Sequence, residues 1–290
     1  MEKLINKAEN LIEALPYIQM FRGAIVVIKF GGSAMEKIEL TKSVMRDVVL
    51  MECIGMRPVV VHGGGKAISS KLNELSIPTK FINGLRYTCE KTISVVDDVL
   101  HNKVNRELVD AIHESGGKGV TLSGKSILKA QKMYTECVDT GKKLDLGYVG
   151  DVSEVQVDEI LKILGNDLIP VIAPLAVGVD EQTYNINADI AACKIAKALK
   201  AKKLVFLSDV PGILKDKDDE NSIISSITID EVDRLIASKI ISGGMAPKIK
   251  SAEDALLAGT EKVHIIDGRL KHSLLLEIFT DSGIGTEITN

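Results

Sequence analysis

Tryptophan is absent from the 290 residues, and Tyr and Phe contribute only five each. Close packing must therefore rest on Ile, Val, Leu and Ala, which suits a parallel sheet buried on both faces. Long apolar runs are missing too. Nothing reaches the roughly 18 uninterrupted apolar residues of a membrane span. The amino-terminal segment, broken by Glu2, Lys3, Lys7, Glu9 and Glu13, does not read as a secretion signal. Neither sign of charge dominates, with 36 basic against 40 acidic residues and a net charge of -4. That balance, without a long like-charge run, disfavours a nucleic-acid or anionic-membrane surface and leaves room for a local basic cleft. The cysteines, Cys53, Cys89, Cys137 and Cys193, form no C-x-x-C pair. Their scatter argues against a disulfide framework or a zinc site, and for thiols packed as small hydrophobes in a reducing cytoplasm. The G-x-S-x-G elbow, the H-E-x-x-H helix and any dense His/Cys cluster are also missing, so hydrolase and metalloprotease readings lack support.

What is present is alternation. Leu4, Ile5, Ala8, Leu11, Ile12 and Leu15 predict an amphipathic helix over residues 3–15, ended near Pro16. It serves either as an arm docking elsewhere or as a cover for its own core. Buried strands are expected at 24–30, 58–62, 119–123, 168–173, 203–207 and 263–266. Helices are expected around 44–51, 68–75, 92–113, 157–164, 187–199, 228–239, 247–258 and 271–279. Thr228 and Glu231 form a capping box, and residues 126–152 read as a β-hairpin with its tip at 140–143. Strands alternating with helices imply a mainly parallel sheet covered on both sides, with ligands at the carboxyl ends of the strands.

The glycine clusters fall at those ends. Lys29 closes a buried strand just before Gly31 and Gly32. An ammonium there needs water or a partner, and glycine amides can approach an oxyanion closely. A snorkelling lysine beside a tight turn accounts for it nearly as well. His62-Gly63-Gly64-Gly65 joins a strand to a helix and reads as an anion site on a helix amino terminus. It is neither a Walker A loop nor the dinucleotide fingerprint. Arg86, after Asn83-Gly84, is a candidate carboxylate clamp or a surface arginine. Asn185, Asn187 and Asp189 open a helix, where capping is the simpler reading. Asp209 follows the strand at 203–207. Lys248 stands in the first turn of a helix after Gly243-Gly244, against the helix dipole, a placement with purpose if an anion lies between them.

Taken in order, residues 27–35, 62–65, 83–86, 184–192, 207–214 and 243–248 resemble the amino acid kinase family over about residues 20–290. Within it they resemble the branch acting on an N-acylated glutamate. The resemblance implies a three-layer α/β/α sandwich around a central, mainly parallel sheet, with an added amino-terminal helix. Residues 1–195 would hold that helix and the acyl-amino-acid-binding and dimerisation lobe, and residues 196–290 the ATP-binding lobe with an arginine-site carboxyl end. It implies ATP-dependent phosphorylation of the side-chain carboxylate of N-acetyl-L-glutamate in the cytoplasm, with Mg2+ carried mainly on the phosphates and no metal cage of protein ligands. Lys29 and Lys248 would flank the migrating phosphoryl group, with Asp189 holding both. Gly64, Gly65, Arg86 and Asn185 would bind the acyl amino acid. Gly31, Gly32, Asp209 and Gly244 would line the nucleotide site.

The carboxyl end, residues 272–286, resembles the arginine-inhibited members, which carry an amino-terminal helix. Tyr17, Lys203, His272, Glu277 and Gly283 are then arginine-site candidates, and a homo-oligomer is implied, a hexamer built as a trimer of dimers. A PII-type signal protein stays open as a partner. Ser33 stands where close relatives usually have Asn, and Tyr87 where a small aliphatic residue is usual. The competing readings are a sister kinase acting on aspartate or an N-blocked aminoadipate, a non-catalytic arginine or nitrogen sensor on the same fold, and a dinucleotide-binding dehydrogenase.

Overall fold

The chain opens on two helices rather than one, α1 (Glu2–Glu13) and α2 (Leu15–Phe21). Pro16 ends nothing: it sits in the first turn of α2, where its missing N–H would have had no partner anyway. The apolar stripe is not used on the chain's own core, since Leu4, Ile5, Leu11, Ile12 and Met20 are all exposed. The computed structural model describes residues 1–136, 141–280 and 283–290. Cys137 and the first residue of the expected hairpin tip, Thr140, lie outside them. Of the described thiols only Cys193 is buried; Cys53 is exposed and Cys89 half-buried, so the expectation of buried thiols holds for one of the three.

Two strand–helix units follow, β1 (Ile25–Phe30) with α3 (Ile38–Cys53) and β2 (Arg57–His62) with α4 (Gly65–Glu74). A short hairpin, β3 (Phe81–Ile82) and β4 (Leu85–Arg86), turns on Asn83 and Gly84, both at positive φ. The helix expected over 92–113 is longer and irregular: α5 (Glu90–Asp98) passes through a π-helical stretch, Val99–Asn105, into α6 (Arg106–Glu114). Then come β5 (Gly119–Ser123), a single turn α7 (Gly124–Ile127), and the antiparallel pair β6 (Leu128–Glu136) and β7 (Lys143–Val155). After α8 (Asp158–Leu164) and β8 (Ile169–Ala173), a second hairpin appears, β9 (Leu175–Gly178) and β10 (Thr183–Ile186). The chain continues through α9 (Ala188–Leu199), β11 (Lys203–Ser208), β12 (Ser226–Thr228) and α10 (Ile229–Ala237). It closes with α11 (Met245–Leu257), β13 (Lys262–Asp267), α12 (Ser273–Ile278) and β14 (Thr286–Thr289). The capping box forms as expected, Glu231 accepting from the Thr228 N–H at 3.1 Å.

The main sheet has eight strands in the order β12-β14-β13-β11-β1-β2-β8-β5. Every pairing in it is parallel except β13 with β14. Strands from the first 195 residues form one half and those from the rest form the other, meeting where β1 pairs with β11. Strands β6, β7, β9 and β10 close a small barrel beside it.

Side chains alternate across a strand, so β1 feeds two cores. Val26, Ile28 and Phe30 pack with α3 and the α5–α6 path on one face. Val27 packs with α9 and α11 on the other. Lys29 shares the parity of Val27 and so points toward the layer that contains α9 and α11.

Candidate active site

That parity assembles the charge centre. Asp189 lies in the first turn of α9 and Lys248 in the first turn of α11, both above the end of β1. Lys248 Nζ donates to Asp189 Oδ2 at 2.8 Å, and Lys29 Nζ lies 3.0 Å from Oδ1 as a charge contact. Both ammonium groups are nearly buried, at 13% and 11% side-chain exposure for Lys29 and Lys248. Burial acts to raise the Asp189 pKa, but the two lysines outweigh it and hold the carboxyl below its ordinary value. Burial pulls Lys248 below the usual lysine value, Lys29 adds to that, and Asp189 opposes it. Lys248 also lies 4.7 Å from the centre of the Phe206 ring, which β11 sets beside Lys29 in register. Asn187 caps α9, accepting from the Asp189 N–H at 2.8 Å, so the backbone carrying the carboxylate is fixed as well.

The turn after β2 is polarised. The Gly63 N–H donates to Phe30 O at 2.7 Å, and His62 Nδ1 lies 2.9 Å from Gly63 O. Gly64 O accepts from Ile68, and Gly65 O from Ser69 and Arg86. All three glycine carbonyls are thus engaged, while the Gly64 and Gly65 amides find no acceptor among the described residues. A helix amino terminus with free N–H groups and occupied C=O groups favours an oxygen-rich ligand. A side chain at Gly64 would reach within 2.4 Å of Leu100 on the π-helical stretch.

Arg86 ends the β3–β4 hairpin and is buried. Nη2 donates to Gly65 O and Ser69 Oγ, both at 2.8 Å, and the guanidinium stacks 4.7 Å from the Phe81 ring centre. Its Nη1 is buried with no partner among the described residues. Asn185 Nδ2 reaches Thr88 Oγ1 at 3.3 Å, and Thr88 Oγ1 donates to Arg86 O. These residues line adjoining clefts. One of about 470 Å³ holds Lys29, Gly32, the three glycines and Arg86. One of about 190 Å³ holds the glycines, Arg86 and Asn185. One of about 710 Å³ holds Asp189, Lys248 and Gly244 with the β3–β4 turn.

Gly31 is extended, and a Cβ there would come 3.0 Å from Lys29 Nζ, so the ammonium would have to give way by a few tenths of an ångström. Gly32 sits at φ +70. Asp209 is exposed just beyond β11, at the same carboxyl edge, and lines none of these clefts. Sequence reasoning passed over Ser69, Thr88 and Phe81, which hold Arg86 and Asn185. Only the nearness of Phe81 and Thr88 to Arg86 in the chain hinted at them.

A separate cleft of about 580 Å³ lies between α2, α12 and the β12–β14–β13 edge. Four of the five arginine-site candidates line it: Tyr17, Lys203, Glu277 and Gly283. His272 does not. Its Nδ1 lies 2.6 Å from the buried Asp47, pinning the start of α12 to α3. Burial acts to raise the Glu277 pKa. A 2.6 Å hydrogen bond from His264, together with the Ile284 and Gly285 amides, holds it below the ordinary value instead.

Residues 24–267 match the amino acid kinase family. Acetylglutamate kinase of Carboxydothermus hydrogenoformans is 52% identical over 293 aligned positions, covering 100% of both chains. Acetylglutamate kinase of Petrotoga mobilis is 51% identical over 98% of this chain and 93% of its own. Among solved structures, N-acetylglutamate synthase of Neisseria gonorrhoeae with coenzyme A and N-acetyl-glutamate superposes with a TM-score of 0.84 at 25% identity. That match covers 98% of this chain and 63% of the synthase, so this chain spans under two thirds of the synthase's length.

Proposed function

The chain belongs to the amino acid kinase family, and on that premise we propose that it transfers the terminal phosphoryl group of ATP to the side-chain carboxylate of N-acetyl-L-glutamate. The product is N-acetylglutamyl 5-phosphate, on the route to arginine. The reading is carried by one observation: Asp189 holds the ammonium groups of Lys29 and Lys248 at 3.0 and 2.8 Å, and the two lysines line adjoining clefts.

A carboxylate is a nucleophile at neutral pH, so no general base is needed. A carboxylate oxygen bonds to the terminal phosphorus as the bond to the ADP oxygen breaks. What opposes the step is repulsion between anions. Lys29 and Lys248 answer it by stabilising charge on the equatorial oxygens. Arg86, with its unpartnered Nη1, takes the α-carboxylate; the Gly64 and Gly65 amides and Asn185 orient the rest. Gly32 and Gly244 would face the nucleotide from the clefts they line, with Gly31 and Asp209 at the same carboxyl edge of the sheet. Mg2+ would neutralise charge on the ATP phosphates; an ion carried there needs no protein cage, which suits a cleft of amides and ammonium groups. Residues 1–195 form the acyl-amino-acid lobe and residues 196–290 the ATP lobe.

Arginine is proposed as a feedback inhibitor in the cleft of Tyr17, Lys203, Glu277 and Gly283, where a buried carboxylate suits a guanidinium. The exposed apolar residues of α1 would link dimers into a hexamer. The test is ATP turnover, trapping the acyl phosphate, with N-acetyl-L-glutamate, aspartate, glutamate and N-acetyl-aminoadipate offered separately, with and without arginine. Preference for any substrate other than N-acetyl-L-glutamate would displace this reading.

A further inference from the structure

The carbonyl of the first glycine in the turn after β2 is held by His62. His62 is the last residue of β2 and has no exposed surface. Its Nδ1 lies 2.9 Å from Gly63 O, and its Nε2 is buried with no partner among the described residues. A carbonyl only accepts, so the ring proton belongs on Nδ1. In a trans peptide the C=O and the following N–H point in opposite directions. We propose that His62 is a positioning residue, whose Nδ1–H draws the Gly63 carbonyl inward and thereby turns the Gly64 N–H out toward the substrate.

The lock is needed because the turn is all glycine. A peptide between two glycines flips at little steric cost. The flipped form would aim carbonyl lone pairs at an oxygen-rich substrate. Gly63 is held on both sides, its N–H by Phe30 and its C=O by His62. The ring also stays neutral: burial pushes its pKa down to about 4, with the Gly63 carbonyl opposing and His101 adding to the fall. The donor therefore adds no charge to the site across the neutral range.

This inference rests on the proposed activity for its kinetic readout and stands apart from it in its spectroscopic one. Nitrogen NMR of the labelled whole protein should show His62 neutral at pH 7 with the proton on Nδ1. A proton on Nε2 would overturn the proposal, whatever the substrate proves to be. His62→Asn keeps a donor where Nδ1 was, whereas His62→Gln moves the amide out to the Nε2 position. The Asn variant should keep its KM for N-acetyl-L-glutamate within about fivefold, and the Gln variant should raise it about 30-fold or more, as expected for losing a hydrogen bond to a charged ligand. If His62 only fills space, Gln is the milder change, being nearer in volume, and that reversed order refutes the assignment. Should the wild-type protein ignore N-acetyl-L-glutamate, the activity falls and the NMR result alone decides for or against His62.

Discussion

At the scale of single residues, the proposed chemistry rests on charges that water would normally separate. Two lysines share Asp189 because burial makes each costly alone. Losing one charge-stabilising donor typically costs about 3 kcal/mol, or roughly a hundredfold in rate. Lys29→Ala and Lys248→Ala should each lower kcat by about that factor or more while thermal unfolding stays close to wild type; unchanged turnover in either refutes its role. The pH profile carries a sign. In the proposed role Lys248 must be protonated; its pKa is depressed by burial, and the Asp189 charge is what props it up. Asp189→Asn removes the prop, so the alkaline limb of kcat should move to lower pH. A limb that stays put or moves up would separate Lys248 from the chemistry. The candidates themselves were legible one by one: a lysine before two glycines, an aspartate opening a helix, a lysine against a helix dipole. Their company was not, because nothing in a spacing of 59 residues says that Asp189 and Lys248 are 2.8 Å apart. His272 shows the converse, a residue expected in a ligand cleft that the fold turns onto Asp47.

At the scale of elements, the strand-to-helix turns decide what a ligand meets. Gly64 caps α4 against Leu100, where an added Cβ would sit 2.4 Å from a buried methyl group, whereas a Cβ at Gly65 would meet nothing within 4 Å. Gly64→Ala should therefore destabilise by about 1–3 kcal/mol through overpacking, with a marked loss of substrate affinity. Gly65→Ala should leave unfolding within about 0.5 kcal/mol of wild type. Denaturant melts of the two variants check the contrast, and equal destabilisation would contradict the packing. The long periodic helices and apolar strands were readable because burial on one or both faces imposes a period. The short β3–β4 and β9–β10 hairpins, β14 and the π-helical stretch were not. Two to four residues carry too little period, and a π turn depends on what packs against it.

At the scale of the molecule, the apolar side chains of Leu4, Ile5, Leu11 and Ile12 on α1 are left exposed by the described residues. If the proposed hexamer is held by α1, removing residues 1–14 should leave a dimer by light scattering while ATP turnover with N-acetyl-L-glutamate persists. An unchanged assembly would detach α1 from oligomerisation. The sequence by itself determined that this is a mainly parallel α/β chain with glycine turns at its strand ends, because periodicity, glycine runs and charge type are local properties. Only the tertiary structure decided which turns meet. Strand order β11-β1-β2 and the parity of β1 bring Lys29 under the helices of Asp189 and Lys248, and burial then makes their charges depend on one another.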